Sequence, residues 1–289
     1  MKMGNNITLA GCVILYKPNF DAIANVESYI ESVQTLFVVD NGDGSNVINR
    51  LLNKYHNIVV IDFNENIGIA CALNEVLRRC DGHYTHLLTM DQDSSFVENS
   101  MKNYFEYLNQ FDWSKTLGVS PKIINDVNAP PYSADVIYKE TKRVITSGNI
   151  INVNNAIAIG GFDENLFIDE VDFEFCYRGV LKGYVNYIFL KDVYLKHCLG
   201  NPIKIKLMNK TFETMNHNFV RKYYIVRNRC YVYKKYNFMD KRFFYKRYIK
   251  QNFYMFWQIV FIESDKWRKV KYFIKGIVDF YIGRMGKVY

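Results

Sequence analysis

The sequence predicts an α/β fold built on a mostly parallel, doubly wound sheet. In the N-terminal third of the chain, apolar runs of strand length alternate with stretches in which apolar residues have helical spacing. Acidic or amide side chains follow three successive apolar runs. Because a sheet of this kind binds its ligand outside the carboxyl ends of its strands, these polar clusters predict a binding site at that edge.

Four strands and the helices between them are predicted in this part of the chain. The first strand is limited by Pro18, and the second is followed by the turn-forming residues NGDG. Apolar residues recur every three or four positions in the first predicted helix. The predicted strands are residues 7–16, 36–40, 57–63 and 86–91, and the predicted helices are residues 20–33 and 67–80.

The remainder of the chain has a different pattern. Residues 118–160 predict short strands and turns, and residues 170–183 predict a helix that ends at Gly183. After two further strands, the chain is predicted to be helical, basic and aromatic to its end. We therefore predict two domains, an α/β domain over residues 1–205 and a helical extension over residues 206–289.

The net charge of +8 is divided unevenly along the chain. Residues 221–289 contain 18 Lys and Arg against 4 Asp and Glu, together with 21 of the 47 aromatic residues. Residues 1–220 contain 19 basic and 25 acidic residues. A basic, aromatic segment attached to an acidic body predicts an anionic partner, either a membrane surface or nucleic acid.

The sequence predicts a protein that stays in the cytoplasm. The start of the chain lacks the pattern of a signal peptide, and the longest apolar run, residues 253–262, is too short to span a bilayer. Six cysteines, none of them in C-x-x-C spacing, predict reduced thiols instead of disulfides or a zinc site.

The segment LLTMDQDSSF, residues 87–96, places two carboxylates at the end of the fourth predicted strand. Asp91 and Asp93 have the same parity along the strand, so both can point to one side. Carboxylates at this spacing can hold a hard divalent cation, since Mg²⁺ needs only one or two protein carboxylates beside waters and substrate phosphates. The alternative is an acidic loop without a ligand.

Five segments of the chain resemble glycosyltransferase family 2, most closely its bacterial rhamnosyltransferase branch. In chain order they are VVDNGD (38–43), FNENIGIACALNEVL (63–77), LLTMDQDSSF (87–96), GGFDENLFIDEVDFEFCYR (160–178) and KHCLG (196–200). The resemblance covers residues 7–235 and includes RKYYIVRNRCY (221–231), which is similar to the segment that follows the catalytic domain of those rhamnosyltransferases. It implies the GT-A fold, a Rossmann-like, mostly parallel sheet flanked by helices, here with a C-terminal helical extension.

The resemblance also implies roles for residues at the ends of the strands. Asp40 would accept a hydrogen bond from the nucleotide base, and its alternative role is that of a turn-forming side chain. The loop at residues 64–68, which includes Asn66, would approach the nucleotide, because Gly68 permits close backbone contact at the start of a helix.

For the metal, the resemblance implies a further set of contacts. Asp91 would contact the ribose, and Asp93 would bind a divalent ion, either Mg²⁺ or Mn²⁺. His197 matches the later histidine of the family, which reaches the metal or the diphosphate, and its alternative is a purely structural role.

The second implied centre is the acidic segment at residues 160–178. Inverting sugar transfer needs a base that takes the proton of the acceptor hydroxyl, and a carboxylate within hydrogen-bond distance can do this. Many family members have a Glu-Asp pair here and rhamnosyltransferases have Asp followed by an aromatic residue, so the Asp169-Glu170 pair leaves the base ambiguous. We predict Asp169, with Glu170 as the second candidate. Asp172 and Glu174 can instead serve as helix-start charges, and Arg178 would pair with one of these carboxylates or with phosphate.

Together these observations predict an inverting, metal-dependent glycosyltransferase that uses a nucleotide-sugar donor. Rhamnose from dTDP-rhamnose is the favoured sugar, and the acceptor would be a saccharide or a lipid-linked oligosaccharide in cell-surface polysaccharide synthesis. The alternatives are a UDP- or GDP-sugar donor, a sugar nucleotidyltransferase, and a nucleic-acid-binding protein that uses the basic tail. The acidic body argues against nucleic acid, so we expect the protein to lie peripherally on the anionic inner face of the cell membrane.

Overall fold

The computed structural model describes residues 7–124, 136–197, 203–207 and 210–289, without the side chains of residues 204–207 and 210–211. The chain divides into two compact units. The first unit comprises Met1–Asp163 and Asp172–Cys198, and the C-terminal unit comprises Glu164–Val171 and Leu199–Tyr289. The short segment 164–171 therefore belongs to the C-terminal unit, although it lies within the predicted α/β domain in sequence.

Strands and helices alternate in the first unit as far as residue 91, and runs of short strands follow. In chain order the elements are β1 (Leu9–Leu15), α1 (Asp21–Glu27), β2 (Thr35–Asp40), α2 (Ser45–Lys54), β3 (Ile58–Asp62), α3 (Ile69–Cys80), β4 (His86–Asp91), β5 (Ser94–Phe96), α4 (Ser100–Leu108), β6 (Thr116–Ser120), β7 (Lys122–Ile124), β8 (Tyr138–Thr141), β9 (Asn149–Asn152), α5 (Val153–Ala158), α6 (Val171–Leu181), β10 (Val185–Phe189) and β11 (Tyr194–His197).

Eight of these strands form one sheet in the order β3-β2-β1-β4-β9-β6-β10-β8. The pairs from β3 to β4 are parallel, β9 is antiparallel to both of its neighbours, β10 is parallel to β6, and β8 is antiparallel to β10. The prediction of an α/β fold with a mostly parallel sheet is confirmed. Every residue of β1 except Ile14 is buried, because a central parallel strand is covered on both faces.

Two local predictions for this unit need correction. The helix predicted over residues 20–33 ends after α1, because the Ser28 hydroxyl donates to Asn25 O at 2.6 Å and competes with the helical backbone bonds. Within residues 118–160, the prediction of strands and turns missed α5. Asn152 begins that helix by accepting a hydrogen bond from Asn155 N at 2.9 Å.

The C-terminal unit begins with a hairpin. Its elements are β12 (Ile203–Leu207), β13 (Lys210–Thr214), α7 (Phe219–Tyr236), α8 (Lys241–Phe244), α9 (Gln251–Phe261) and α10 (Lys266–Tyr281), with a 3₁₀ turn at Asn237–Met239 and a π-helical turn at Tyr245–Lys250. The prediction of helix directly after residue 205 is wrong. The sequence IKIKL alternates apolar and basic residues, which is the pattern of a strand.

The helices of this unit pack around a core of their own. Ile225 and Val226 of α7 pack with Met255 and Ile259 of α9 and with Phe273 of α10. The two longest helices approach closely at one glycine of α10. A Cβ at Gly276 would lie 2.7 Å from the backbone oxygen of Tyr223, so only glycine fits at this crossing.

Two further predictions concern the membrane and the cysteines. Among the helices of the described ranges, none combines the length and the apolar character that a membrane span requires. Among the described residues, no disulfide joins the five cysteines found there: Cys12, Cys71, Cys80, Cys176 and Cys230. Cys198 lies outside the described residues.

Candidate active site

The carboxyl ends of the parallel strands bring three acidic side chains to the same edge of the sheet. Asp40 at the end of β2 is in register with Leu15 of β1 and with Asp62 at the end of β3. Asp91 at the end of β4 is in register with Ile14 of β1. This is the arrangement that the polar clusters predict, because parallel strands end together.

Asp91, Asp93 and His197 form a cluster whose ligand atoms lie within 4.8 Å of one another. The cluster depends on the pairing of β5 with β11, which sets His197 opposite Ser94. The Ser94 hydroxyl lies 2.7 Å from Nδ1 of His197, and a carboxylate oxygen of Asp93 lies 3.5 Å from the same nitrogen. The structure thus brings together three residues predicted for the ribose and the metal.

The electrostatics of this cluster suit a cation. The hydrogen bond to Asp93 raises the pKa of His197, burial opposes the change, and the negative charges of Asp91, Asp93 and Asp172 add to it. The two carboxylates provide the oxygen ligands that Mg²⁺ and Mn²⁺ favour, and the imidazole adds a nitrogen ligand of the kind that transition metals accept. The residues present therefore fit a divalent metal.

The turn after Asp91 is held by side chains that the sequence prediction did not include. Gln92 spans to the end of β1, where its Oε1 accepts from Tyr16 N at 2.8 Å and its Nε2 donates to Tyr16 O at 3.1 Å. Ser147 is fully buried, and its hydroxyl accepts from Asp91 N at 3.2 Å. The position of Gln92 between the two aspartates could have indicated that it belongs to the site, whereas no feature of the sequence indicates a role for Ser147.

The Asp40 carboxylate closes the turn that follows β2. It accepts hydrogen bonds from Gly42 N at 2.9 Å and from Gly44 N at 3.1 Å. A Cβ at Gly44 would lie 2.9 Å from Asp40 Oδ1, so the turn needs glycine there. Asp40 therefore has the turn-forming role that the sequence left open. Since a carboxylate can accept several hydrogen bonds, its predicted contact with a nucleotide base stays a prediction.

Two asparagines fix the loop before α3. Asn66 Oδ1 accepts from Gly68 N at 2.9 Å and from Asn41 Nδ2 at 3.0 Å, and Asn41 Oδ1 accepts from Ile67 N at 2.8 Å. Gly68 begins α3 with a φ of +85°, which favours glycine. Asn41 is buried and was missed as a site residue, although it stands beside Asp40 in the first polar cluster.

Asp169 and Glu170 lie in the C-terminal unit and have unusual backbone conformations. Their φ angles are +63° and +67°, and such conformations cost about 1–3 kcal/mol each when the residue is not glycine. Asp169 Oδ1 lies 3.2 Å from Nη2 of Arg221. Its Oδ2 is buried and has no hydrogen-bond partner within the part of the chain that the structure describes. Strained backbone and an unsatisfied carboxylate oxygen are features that functional sites often share.

Glu170 is the more deeply buried of the two carboxylates. Its side chain is 5% exposed, against 20% for Asp169, and its Oε1 lies 3.6 Å from Arg229 Nε and 3.9 Å from Arg247 Nη2. Burial raises the pKa of Glu170 despite the opposing charges of Arg247 and Arg229, and the charge of Asp169 raises it further. The geometry therefore favours Asp169 as the carboxylate that a substrate could reach.

Arg178 pairs with a carboxylate of its own helix. Its Nε and Nη2 donate to the two oxygens of Glu174 at 3.0 and 2.7 Å, and its Nη1 donates to Ile159 O at 2.7 Å. The Glu174 side chain is fully buried. One of the two partners proposed for Arg178 is thus present, and its role in substrate binding stays a prediction.

Residues 20–161 match the model of the family described as glycosyl transferase family 2. The chain is a glycosyltransferase with a family 2 domain. The matched region of the transferase includes Asp40, Asn66, Gly68, Asp91 and Asp93, and it ends before Asp169. A relative that covers most of the transferase is the dTDP-rhamnosyl transferase RfbF of Shigella flexneri, which is 25% identical over 255 residues, 77% of this chain and 79% of that relative.

The fold of the transferase is also found among solved structures. The crystal structure of GalNAc-T7 with UDP, GalNAc and Mn²⁺ is similar to it with a TM-score of 0.55 and 12% identity. The match covers 67% of this chain and 44% of that structure. At this level of identity the likeness concerns the fold, and the predicted GT-A architecture of the transferase is confirmed.

Proposed function

We propose that the transferase is an inverting, divalent-metal-dependent rhamnosyltransferase that uses dTDP-rhamnose. Its acceptor would be a saccharide or a lipid-linked oligosaccharide in the synthesis of a cell-surface polysaccharide. The observation that carries this proposal is the similarity to a dTDP-rhamnosyl transferase along 77% of the chain. The cluster of Asp91, Asp93 and His197 supports the metal dependence.

In this proposal the first unit binds the donor. Asp93 and His197 would hold the metal, and the bound ion would supply positive charge that offsets the negative charge of the departing diphosphate. Asp91 orients the ribose, Asp40 accepts a hydrogen bond from the base, and the loop that contains Asn66 and Gly68 lies against the nucleotide. The cluster already gathers three of these side chains, so little reorganisation is needed to bind a cation.

The base of the reaction is Asp169. Its carboxylate takes the proton of the acceptor hydroxyl while the hydroxyl oxygen attacks the anomeric carbon from the side opposite the diphosphate. The new glycosidic C–O bond forms as the bond between the sugar and the phosphate oxygen breaks, and the configuration inverts. Glu170 is the second candidate, but the two arginines beside it and its deeper burial favour an ion-pair role.

A donor panel tests this function. The purified protein is incubated with dTDP-rhamnose or with UDP- and GDP-sugars, with Mn²⁺, Mg²⁺ or a chelator, and with octyl glycosides as acceptors. We expect release of nucleoside diphosphate and formation of a rhamnosylated glycoside only when dTDP-rhamnose and a metal are both present. Faster turnover of a UDP- or GDP-sugar would replace the donor assignment, and full activity with a chelator would refute the metal.

The outer face of α10 supports a membrane surface as partner. The exposed apolar residues of α10 are 48% to 89% accessible to solvent and recur at helical spacing, and exposed Ile282 follows the helix directly: Trp267, Ile274, Val278 and Tyr281. Residues on the opposite face, among them Phe273 and Gly276, are buried. The C-terminal region is also strongly basic. An apolar stripe on a basic, aromatic unit is typical of a helix that lies in a membrane interface.

We therefore propose that the transferase binds the anionic inner face of the cell membrane, where a lipid-linked acceptor would lie. Sedimentation with vesicles of phosphatidylcholine containing anionic phosphatidylglycerol tests this proposal, with single-stranded DNA as the competing ligand. Binding to DNA but not to the vesicles would favour the nucleic-acid alternative.

A further inference from the structure

The turn at Asp169 and Glu170 needs support from outside its own sequence. Two consecutive residues other than glycine have positive φ angles there, and isolated chains rarely adopt this conformation. The backbone angles at Asp169 also set the direction in which its side chain leaves the chain. Any group that holds the backbone of this turn therefore also places the Asp169 carboxylate.

Asn228 of α7 is the side chain that holds this backbone. Its Nδ2 donates to Ile168 O at 2.6 Å and to Asp169 O at 3.2 Å. The residue is fully buried. The amide nitrogen of Asn228 thereby binds the carbonyl oxygens of the two peptide groups on either side of the Asp169 Cα.

The orientation of this amide is fixed by the neighbouring Arg227. Arg227 Nε donates to Asn228 Oδ1 at 3.1 Å, so the amide cannot turn over without losing a bond. Arg227 is itself fully buried, and its Nη1 donates to Gly286 O at 2.9 Å. Its Nη2 reaches Asn165 O at 3.4 Å, within the same segment that carries Asp169. A helix residue with locked neighbours is a precise support for a functional side chain.

We infer that Asn228 is a positioning residue for the catalytic base. It holds the turn so that the Asp169 carboxylate points where it can take the acceptor proton. The inference rests on the proposed function, in which Asp169 is the base. It gives α7 a part in the chemistry, separate from the surface of α10 that the membrane proposal uses.

A double-mutant cycle on the full chain tests this role. We expect Asn228→Ala to lower kcat for dTDP release from dTDP-rhamnose at least tenfold, since a displacement of about 1 Å can cost up to about a hundredfold. The KM for dTDP-rhamnose should change less than twofold, because the donor does not contact this turn in the proposal. In an Asp169→Asn background, Asn228→Ala should cause no further loss, because the group it positions is already disabled.

Gln258→Ala is the matched control. Gln258 is a buried amide of the same unit that donates to Glu213 O at 2.9 Å, and it bonds to a backbone carbonyl distant in sequence from the turn. We expect Gln258→Ala to lower the Tm about as much as Asn228→Ala does, while its kcat stays within twofold of the wild-type value. If Asn228→Ala does not fold, Asn228→Ser, which leaves a smaller cavity, takes its place in the cycle.

Hydrogen exchange adds a readout that does not depend on activity. Exchange in the peptide spanning residues 164–171 should accelerate at least tenfold in the Asn228 variant and stay unchanged in the Gln258 variant. If no octyl glycoside accepts the sugar, slow hydrolysis of dTDP-rhamnose, with water as acceptor, supplies the rates for the cycle.

Three outcomes would overturn the inference. They are unchanged kcat in Asn228→Ala, a loss that is fully additive with Asp169→Asn, and unchanged exchange at residues 164–171. If Asp169→Asn is inactive and Asn228→Ala is fully active, the positioning role of Asn228 is refuted and the assignment of Asp169 as the base stands. A fully active Asp169→Asn removes the base assignment and, with it, the inference.

Discussion

The substitution Glu263→Gln should destabilise the C-terminal unit more than any exposed charge change in the chain. Glu263 is buried and accepts from Lys222 at 2.7 Å, from Lys269 at 2.9 Å and from the Thr214 hydroxyl at 2.5 Å. Both lysines are buried as well. A glutamine at this position would leave two buried ammonium groups without a negative partner.

The expected cost follows from this geometry. Breaking a buried ion pair by removing one partner lowers the free energy of unfolding by about 3–5 kcal/mol. Burial lowers the pKa of Lys222, against the effect of Glu263. The structure thus predicts a loss of about 3–5 kcal/mol near neutral pH.

The same group predicts how stability depends on pH. Burial acts to raise the pKa of Glu263, but hydrogen bonds from Lys222, Thr214 and Lys269 outweigh it, and the pKa lies below its ordinary value. Because the folded pKa is lower than the unfolded value of about 4.3, the contribution is complete above that value. It is lost as the pH falls through the folded pKa. The difference between wild type and Glu263→Gln should therefore shrink in acid.

Urea unfolding followed by far-UV circular dichroism and by tryptophan fluorescence measures this difference at pH 7 and pH 4. Glu27→Gln is the control, since Glu27 contacts the exposed Lys54 at 2.6 Å, and exposed pairs contribute little. A loss below 1 kcal/mol in Glu263→Gln, or one no larger than in Glu27→Gln, would refute the reasoning. A difference that grows in acid would refute the assigned sign.

The remaining predictions concern activity and the membrane. Asp93→Asn should abolish the metal-dependent rise in Tm that dTDP produces, with the Tm of the free protein nearly unchanged, and full transfer activity would disprove the metal role. Asp169→Asn should lose about 10²–10⁴-fold in turnover with donor affinity retained, whereas loss in Glu170→Gln alone would reverse the assignment. Vesicle binding should weaken as salt is added. Each basic residue near an anionic surface contributes about 1 kcal/mol of attraction, and salt screens this attraction. Vesicle binding should also fall when the exposed residues Lys241, Arg242 and Lys246 are all replaced by glutamine. Equal binding of this variant and the wild type at low salt would refute the docking proposal.

Arg247 is left out of that set because of its position. The sequence alone groups it with the basic residues that would face a membrane. In the structure its side chain is 27% exposed and lies 3.9 Å from Glu170. Its substitution would therefore disturb the proposed catalytic segment and membrane binding together, and the two effects could not be separated.

Local sequence signals predicted the strands at the centre of the fold and the residues at their ends. Asp91 and Asp93 follow an apolar run directly, so their place at the edge of the sheet could be inferred from the run itself. Asp40 and Asn66 could be placed in the same way. Each of these inferences needs only the alternation of neighbouring residues and the direction of a parallel strand.

Pairings between distant residues could not be predicted in this way. His197 joins the two aspartates because β11 pairs with β5, and the Ser94 and His197 side chains that meet there are 103 residues apart. The antiparallel strand β9 enters the middle of the sheet by a similar long-range pairing. The partners of Asp169 and Glu170 lie on α7 and on the π-helical turn, and no local pattern indicates that contact.

The separation between Asn228 and the turn that it holds has a consequence during protein synthesis. The two bonded residues, Asp169 and Asn228, are 59 positions apart. At a translation rate of roughly 5–20 residues per second, the ribosome takes about 3–12 seconds to cover that distance. Arg227, which orients Asn228, donates a hydrogen bond to Gly286 O. This contact can form only after residue 286 has been synthesised. With Asp169 as the proposed base, a nascent chain can thus fold the sheet of its first unit before this side chain is positioned, and sugar transfer would have to wait until Asn228 and Gly286 have been synthesised.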